Sequence, residues 1–575
     1  MSKKEEMITG GDIFIKSMLA EDVKYLFGII GGQMLPMYDA IYNWGREHGI
    51  DTIMFRHEQG AAHAADAWAR ITGKPGICFG TVGPGLTHLV PGVATAQSDN
   101  VPVIAIAPTV ARSILDKFSL QDGIDQMSLM KPITKYQKHV ELTKEIPDGV
   151  KKVFRHAMTG RPGPVFLEIS KEAFYGKMDV KDVPNIGEPK KYRFQEQITA
   201  DSDVIKKVAK ILIESEKPLI VAGSEAINSE ASQEIRELST YLKIPAITSV
   251  LGIGVISSES ETYVGASMRA PAVQSAGQAD HVLILGCKFS FTMAYGNKPL
   301  WKRDGQTFIQ VDSDPTIIGH NFEVDIPIVG NCKLVTKQIL EEVKKLINKR
   351  EKRSQWLQYL IDIRNNARER IIKKAMKDKI PMLPERLVKE VLEFINEDAI
   401  LVLDGGDIVF TVLEQLDFYK PRQPRSIAWS VHMGHLGTCI PYAIGAKLAK
   451  PNKQVVSICG DGSFLFNAQE LDTAVRYRLP IIICIANNQA WGMLKTNQSL
   501  NWKKRFIDTD LIGTNYAEIA KGYGCYAEKI TDPAEIKPAL KRAIESKKPA
   551  VLDIMMVYKV PEISKLLANL GLEIS

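Results

Sequence analysis

Val455–Gln498 reads VVSICGDGSFLFNAQELDTAVRYRLPIIICIANNQAWGMLKTNQ, and its pattern decides the fold. Val455 to Cys459 is a short apolar run, as expected of a buried strand. Gly460-Asp461-Gly462-Ser463 turns into a helical segment whose Leu465, Ala468, Leu471, Ala474 and Val475 can share one apolar face. A second apolar run, Ile481 to Ala486, ends in Asn487-Asn488. Two buried parallel strands joined by a helix place Asp461 and Asn488 at one carboxyl edge of a sheet, where open α/β sheets bind ligands. A carboxylate and a carboxamide there, beside a helix start with free N–H groups, suit Mg²⁺ carrying a diphosphate. The same stretch also reads as a plain βαβ unit, with Gly-Asp-Gly as a turn and Asn-Asn as a strand stop.

Upstream, the chain alternates helix and strand from residue 8 to residue 185. Helices are expected over Gly11–Leu19, Pro36–Trp44, Glu58–Arg70 and Thr87–Ala96, and strands over Tyr25–Ile30, Thr52–Phe55, Gly76–Thr81 and Val101–Ala107. Such alternation implies a parallel sheet covered on both faces. A polar stretch, Gly187–Asp203, reads as a linker. A second α/β block follows, with strands at Pro218–Ala222, Val282–Gly286 and Thr307–Asp312 and without a GxGxxG fingerprint. Val335–Asp378 is charged and helical, most simply a solvated connector. A third block holds strands at Ala399–Leu403 and Ala550–Met555 and a helix at Tyr516–Ala520. The expected fold is therefore α/β, with three consecutive doubly wound parallel-sheet domains. Their bounds are residues 1–186, 200–346 and 383–575, with a helical connector over 347–382.

The chain has 575 residues, 45% apolar and 24% charged, ordinary values for a globular protein. A net charge of +6 is small for this length, and no basic stripe with interleaved aromatics points to nucleic acid. None of the seven cysteines forms a CxxC pair, which fits buried thiols in a reducing compartment. MSKKEEMITGGDIF lacks the apolar core of a signal peptide, and no apolar run approaches a membrane span. The expected location is the cytoplasm.

GDG followed by NN resembles the cofactor motif of the thiamine diphosphate enzymes. That cofactor needs a carboxylic acid hydrogen-bonded to its pyrimidine ring, and burial would favour the protonated form. Glu58, in Phe55-Arg56-His57-Glu58-Gln59-Gly60-Ala61-Ala62, lies between a strand and an alanine-rich helix. Read alone, it is also an acid favoured by a helix dipole. RHEQGAAHAADAWAR, GTVGPGLTHLVPGVATA, GHLG and GDG…NN occur in the order of the acetolactate synthase-like branch, over about residues 8–560. The chain resembles benzaldehyde lyase and acetolactate synthase, with 2-hydroxyacyl-CoA lyase and oxalyl-CoA decarboxylase as cousins. Leu120–Gln126, Pro132–Lys135, Gly223–Ala226 and Asn488–Gly492 are similar to benzaldehyde lyase.

The resemblance implies the following roles. Glu58 activates the pyrimidine, the Gly434 carbonyl meets its amino group, and Leu436 props the bent cofactor. Asp461, Asn488 and the Ala490 carbonyl ligate Mg²⁺, and Gly462 and Ser463 contact the diphosphate. Gly83, Gly406, Asp407, Trp491, Gly492 and Met493 complete the cofactor site. Gln121, Gln33 and His88 face the reacting atoms. Leu436 also reads as plain core, Gln121 as a loop residue, and His57, His63 and His88 as satisfied polar groups. Where benzaldehyde lyase carries loop histidines, Ile30 and Gln33 stand here, and Gln33 cannot act as a base near neutral pH. Asp407 would repel a phosphate unless it is turned away or paired, with His432 or His435 as candidates to offset it.

The implied activity is C–C lyase or carboligase chemistry on 2-oxo acids or 2-hydroxy ketones. The alternative is a CoA-thioester enzyme, for which Arg269, Lys288, Tyr558 and Lys559 are the candidate contacts. FAD or a CoA/ADP moiety in the central domain stays open. A non-catalytic relative would be expected to lose one of Glu58, Asp461 and Asn488. The resemblance also implies a homodimer or homotetramer with active sites at the subunit interface, a small-molecule substrate, and neither nucleic acid nor membrane as partner.

Overall fold

The computed structural model describes residues 7–193 and 198–569. The expected linker at Gly187–Asp203 and the tail to residue 575 therefore fall partly outside the described residues. The chain divides into two compact units. One takes the residues before the linker together with Ala428–Asn452 and Phe466–Ile481; the other takes the remainder.

In the first unit, six parallel strands lie in the order Asp51–Met54, Tyr25–Gly28, Gly76–Phe79, Val103–Pro108, Val165–Ile169, Tyr136–Val140. The central ones are buried along their whole length, which requires cover on both faces. Helices Gly10–Ala20 and Ile146–Met158 contribute Ile13, Phe14, Met18, Val150 and Phe154 to one core. The helix Glu58–Thr72 has alanine at most buried positions because its neighbours come very close. A Cβ at Gly445, in the helix Cys439–Ala449, would lie 2.3 Å from the Ala64 carbonyl oxygen. A Cβ at Gly92, in the helix Pro84–Asp99, would lie 2.5 Å from that of Ala62.

The second unit holds two further parallel sheets. One runs Tyr263–Ala266, Ala246–Thr248, Pro218–Ala222, His281–Leu285, Thr307–Asp312, Ile326–Val329. The other has Ile400–Asp404, Val455–Gly460, Ile482–Asn487, Ala550–Met555 and Tyr526–Ile530 as its long strands. The charged segment after Ile328 forms two helices, Cys332–Leu346 and Gln355–Ala375. The fold class is α/β with three doubly wound parallel sheets.

The helical reading after Gly462 needs one correction. The segment is broken into Asp461–Phe464 and Glu470–Arg476. Leu471 and Ala474 are buried, whereas Leu465 is 49% exposed and shares no apolar face with them. The break releases Phe466, whose side chain packs where a Cβ at Gly437 would sit.

Candidate active site

The first strand-to-helix turn builds one part of the site. His57 caps the helix Glu58–Thr72, its Nδ1 accepting from the Gln59 N–H at 3.1 Å. Glu58 opens the helix, where the dipole favours an acid, and is only 7% exposed. Its Oε2 lies 3.0 Å from His88 Nδ1, and the His88 ring stacks on His57 with centroids 4.3 Å apart. Burial, and then the neighbouring His88, lower the His57 pKa against the pull of Glu58. The donor atoms of these three residues lie within 4.8 Å of one another. The His57 Nδ1 lone pair is already used as the helix cap, so its neutral ring carries its proton on Nε2. The trio is therefore a hydrogen-bonding cluster around a carboxyl group rather than a three-donor metal cage.

Beneath this turn sits Glu470, which the sequence reading missed. Its carboxylate accepts from the Arg56 and His57 N–H groups at 3.2 and 3.0 Å, and from Thr473 Oγ1 at 2.6 Å. Burial pushes its pKa up to about 7. Gly60 leaves room for it, since a Cβ there would lie 2.8 Å from Glu470 Oε1.

Gln33 and Gln121 meet on neighbouring loops of the same unit. Gln33 Nε2 donates to Gln121 Oε1 at 3.3 Å, and Thr81 Oγ1 donates to Gln33 Oε1 at 3.1 Å. Gly83, at φ +72°, has the Gln121 carbonyl oxygen 2.9 Å from where a Cβ would stand. The Gly83 N–H donates to Gln126 Oε1 at 3.0 Å. Around this group, Phe118, Leu120 and Ile30 are exposed.

The turn holding Gly434 and Leu436 belongs to the same unit. Gly434 and Gly437 take left-handed φ values of +61° and +82°. Nothing lies within 4 Å of the Cβ position at Gly434. Leu436 is half-buried. His435 Nδ1 lies 2.7 Å from the Leu436 carbonyl oxygen, and Asn467 Nδ2 donates to the Gly437 carbonyl at 2.8 Å.

In the second unit, Gly460 pairs with Ala486 in adjacent parallel strands, so Asp461 and Asn488 leave the same carboxyl edge. Asp461 Oδ1 accepts from the Gly462 N–H at 3.0 Å, and Asn488 Oδ1 accepts from the Ala490 N–H at 3.1 Å. Gly462 packs under Trp491, 2.6 Å from a Cβ position, and Gly406 packs under Met493 at the same distance. Asp407 opens the helix Asp407–Gln415, with Oδ2 accepting from Thr496 Oγ1 at 2.9 Å. A Cβ at Gly492 would lie 2.9 Å from that same oxygen. Burial pushes the Asp407 pKa up to about 7, so near neutrality it carries far less charge than an ordinary aspartate. His432 Nδ1 is bonded to Asp99 at 2.5 Å, and His435 Nδ1 lies 2.7 Å from the Leu436 carbonyl oxygen. Burial, against the opposing pull of the Thr496 hydrogen bond, is what reduces the Asp407 charge.

These residues fit thiamine diphosphate with a divalent cation. Asp461 Oδ2 and Asp407 Oδ1 are buried without a hydrogen-bond partner among the described residues. Burial raises the Asp461 pKa to about 6. The donor set of Asp461, Asn488 and the Ala490 carbonyl is all oxygen, which suits Mg²⁺. A cavity of ≈ 440 Å³ lies elsewhere in this unit, lined by Arg269, Arg364, Asp417 and Phe418 among others and by none of these residues. Of the candidate CoA contacts, Arg269 pairs with Asp417, Lys559 pairs with Glu385, and Tyr558 Oη lies 3.3 Å from Thr496 Oγ1.

Comparison with known proteins agrees with this chemistry. Residues 8–129, 205–339 and 405–554 match the N-terminal TPP binding, central and C-terminal TPP binding domains of thiamine pyrophosphate enzymes. The chain is 35% identical to the probable acetolactate synthase large subunit of Methanococcus aeolicus, covering 95% of this chain and 92% of the relative. It is 36% identical to the probable acetolactate synthase large subunit of Methanocaldococcus jannaschii, with the same coverage. Against the acetolactate synthase large subunit of Corynebacterium glutamicum, identity is 30% over 96% of this chain and 88% of the relative.

Proposed function

This chain belongs to the thiamine pyrophosphate enzyme family, among relatives of acetolactate synthase large subunits, and we propose that it joins two 2-oxo acids with loss of CO₂. With pyruvate, two molecules would give one 2-acetolactate and one CO₂. The observation that carries the reading is the pair Asp461 and Asn488 on one sheet edge, in a chain that also keeps a buried Glu58. Thiamine diphosphate, when bound, supplies the electron sink that decarboxylation and carbon–carbon bond formation require.

The protein's part is to bind, orient and handle protons. Asp461, Asn488 and the Ala490 carbonyl would hold Mg²⁺. Gly462 and Ser463 present a helix start to the diphosphate. Gly406, Trp491, Gly492 and Met493 shape its surroundings, and Asp407, its charge reduced by burial, would repel the phosphates less than an ordinary aspartate. Glu58 would hydrogen-bond the pyrimidine, with His88 holding the carboxyl by its other oxygen. The Gly434 carbonyl would accept a hydrogen bond from the pyrimidine amino group, and Leu436 and Gly83 would shape its surroundings. Gln33 and Gln121, already joined to each other, face the substrate as hydrogen-bonding groups.

The CoA-thioester alternative is weaker, because two of its four candidate contacts, Arg269 and Lys559, already pair with carboxylates. FAD or a CoA/ADP moiety stays a candidate ligand of the central domain; the proposed reaction is redox-neutral and would draw no electrons from it. We keep the domain bounds 1–186, 200–346 and 383–575, with a connector over 347–382, as part of this reading; the family matches at 8–129, 205–339 and 405–554 fall inside the three domains. A homodimer or homotetramer accounts for exposed Phe118, Leu120, Trp502, Ile507 and Ile512. Seven buried free cysteines suit the cytoplasm, and among the described residues no helix is long and apolar enough to cross a membrane.

Calorimetric titration of cofactor-free protein with thiamine diphosphate tests the reading. Saturable uptake that depends on Mg²⁺ is expected, and no uptake would end it.

A further inference from the structure

One buried network holds the Gly434–Leu436 turn from both sides. Asp99 ends the helix Pro84–Asp99 and is 5% exposed. It accepts from the Val431 and His432 N–H groups at 3.0 and 3.1 Å, from His432 Nδ1 at 2.5 Å and from Arg70 Nη2 at 2.9 Å. Those contacts fix the chain just before the turn. Just after it, Tyr442 Oη donates to Asp66, which is fully buried. Arg70 joins the two aspartates, with Nε 2.8 Å from Asp66 Oδ1 and Nη2 3.1 Å from Asp66 Oδ2. Under the turn itself lies His63, whose ring is 4.6 Å from that of His435. Burial holds the His63 pKa well below its usual value, so it packs there as a neutral ring.

Such a network matters because the turn has little order of its own. Gly434 and Gly437 flank Leu436 in left-handed conformations, and glycine loses the most conformational freedom when ordered. A prop for a bent ligand works only if it is held within a fraction of an ångström. Asp66 and Arg70 lie on the helix that Glu58 opens. A single rigid element thus fixes both the acid and the turn that carries Leu436.

We propose that Arg70 and Asp99 are positioning residues for the cofactor, which lock the Gly434–Leu436 turn in its binding geometry. The proposal rests on the reading of Leu436 as the residue that props the cofactor. Burial would raise the Asp99 pKa, but Arg70 and His432 together hold the group well below the usual carboxylate range. Asp99 is therefore a permanent anion that both the arginine and the loop N–H groups need. Removing one member of a buried charge network can unfold a protein. His432, on the loop side and partly exposed, supplies a gentler variant.

The test measures thiamine diphosphate affinity with Mg²⁺, kcat and the melting temperature of cofactor-free protein. The variants are Asp99→Asn, His432→Gln, Leu436→Ala and the doubles with Leu436→Ala. Asp99→Asn and His432→Gln are expected to weaken affinity and lower kcat by about tenfold or more. His432→Gln should do so with little change in melting temperature. In the Leu436→Ala background these losses should shrink, because residues acting through one loop are not additive. Full affinity and kcat in a folded His432→Gln, with Leu436→Ala impaired, would overturn the proposal and leave the reading of Leu436 standing. Fully additive losses would also overturn it, since they are what general destabilisation predicts. An unimpaired Leu436→Ala would instead refute the reading of the turn, and the proposal with it. If Asp99→Asn does not fold, His432→Gln and its double variant decide the matter.

Discussion

Nδ1 of His88 lies 3.0 Å from Oε2 of Glu58, in a pocket where Glu58 is almost completely buried. The carboxyl group is thus held by one oxygen and left with the other for a ligand. His57 flanks the pair but is tied to the helix start by its own Nδ1. Glu470 fixes the backbone underneath.

Glu58→Gln keeps the shape of this pocket and removes its acid. We expect a melting temperature within a few degrees of wild type and turnover reduced by about a hundredfold or more, the usual scale for a lost acid–base group. Steady-state kinetics with thermal melts checks this. Near-normal turnover would contradict the role of Glu58.

Asp461→Ala removes the one acidic donor of the oxygen set. Cofactor affinity should fall by about tenfold to a hundredfold at limiting Mg²⁺, in the range seen when a metal site loses a supporting group. Chelation of wild type should mimic the variant. Calorimetric titration at two Mg²⁺ concentrations checks both outcomes.

Asp407 gives a pH signature in the cofactor-free protein. Its folded pKa is about 7, whereas an unfolded aspartate titrates near about 3.9. Between those values the folded state keeps a proton that the unfolded state has lost, so stability falls as pH rises across about 4 to 7. Glu470, at about 7, and Asp461, at about 6, act in the same direction. Asp407→Asn should therefore have a shallower decline than wild type, with the largest gain above pH 7 and little difference near pH 4. Melting temperatures across that range provide the check.

Gly445→Ala tests the packing of the helix that carries Glu58. Alanine normally stabilises a helix interior, but here its Cβ would lie 2.3 Å from the Ala64 carbonyl oxygen. We expect a net loss of about 1–3 kcal/mol, typical of overpacking, read by denaturant unfolding.

Much of this architecture was legible in local pattern. The apolar runs at Val455–Cys459 and Ile481–Ala486 fix two adjacent strands, and the turns that follow carry Asp461 and Asn488. His57-Glu58 could be read because it sits between an apolar strand and an alanine-rich helix. Leu465 was misplaced because helical periodicity gives no sign that the chain breaks before Glu470. The strand Tyr136–Val140 escaped notice because, at a sheet edge, it carries Gln137, Lys138 and His139 rather than an apolar run. Asp99 and Glu470 were invisible for another reason. Their partners Val431, His432 and His57 lie hundreds of positions away in the chain or join through backbone N–H groups, which leave no mark in sequence.

The proposed carboligase activity is tested most directly by a product assay. Purified protein is supplied with thiamine diphosphate, Mg²⁺ and pyruvate, and the products are measured by mass spectrometry. The expected result is 2-acetolactate and CO₂ in equal amounts, lost in Glu58→Gln. Saturable cofactor binding with no carbon–carbon bond formed from pyruvate or any other 2-oxo acid would contradict the assignment.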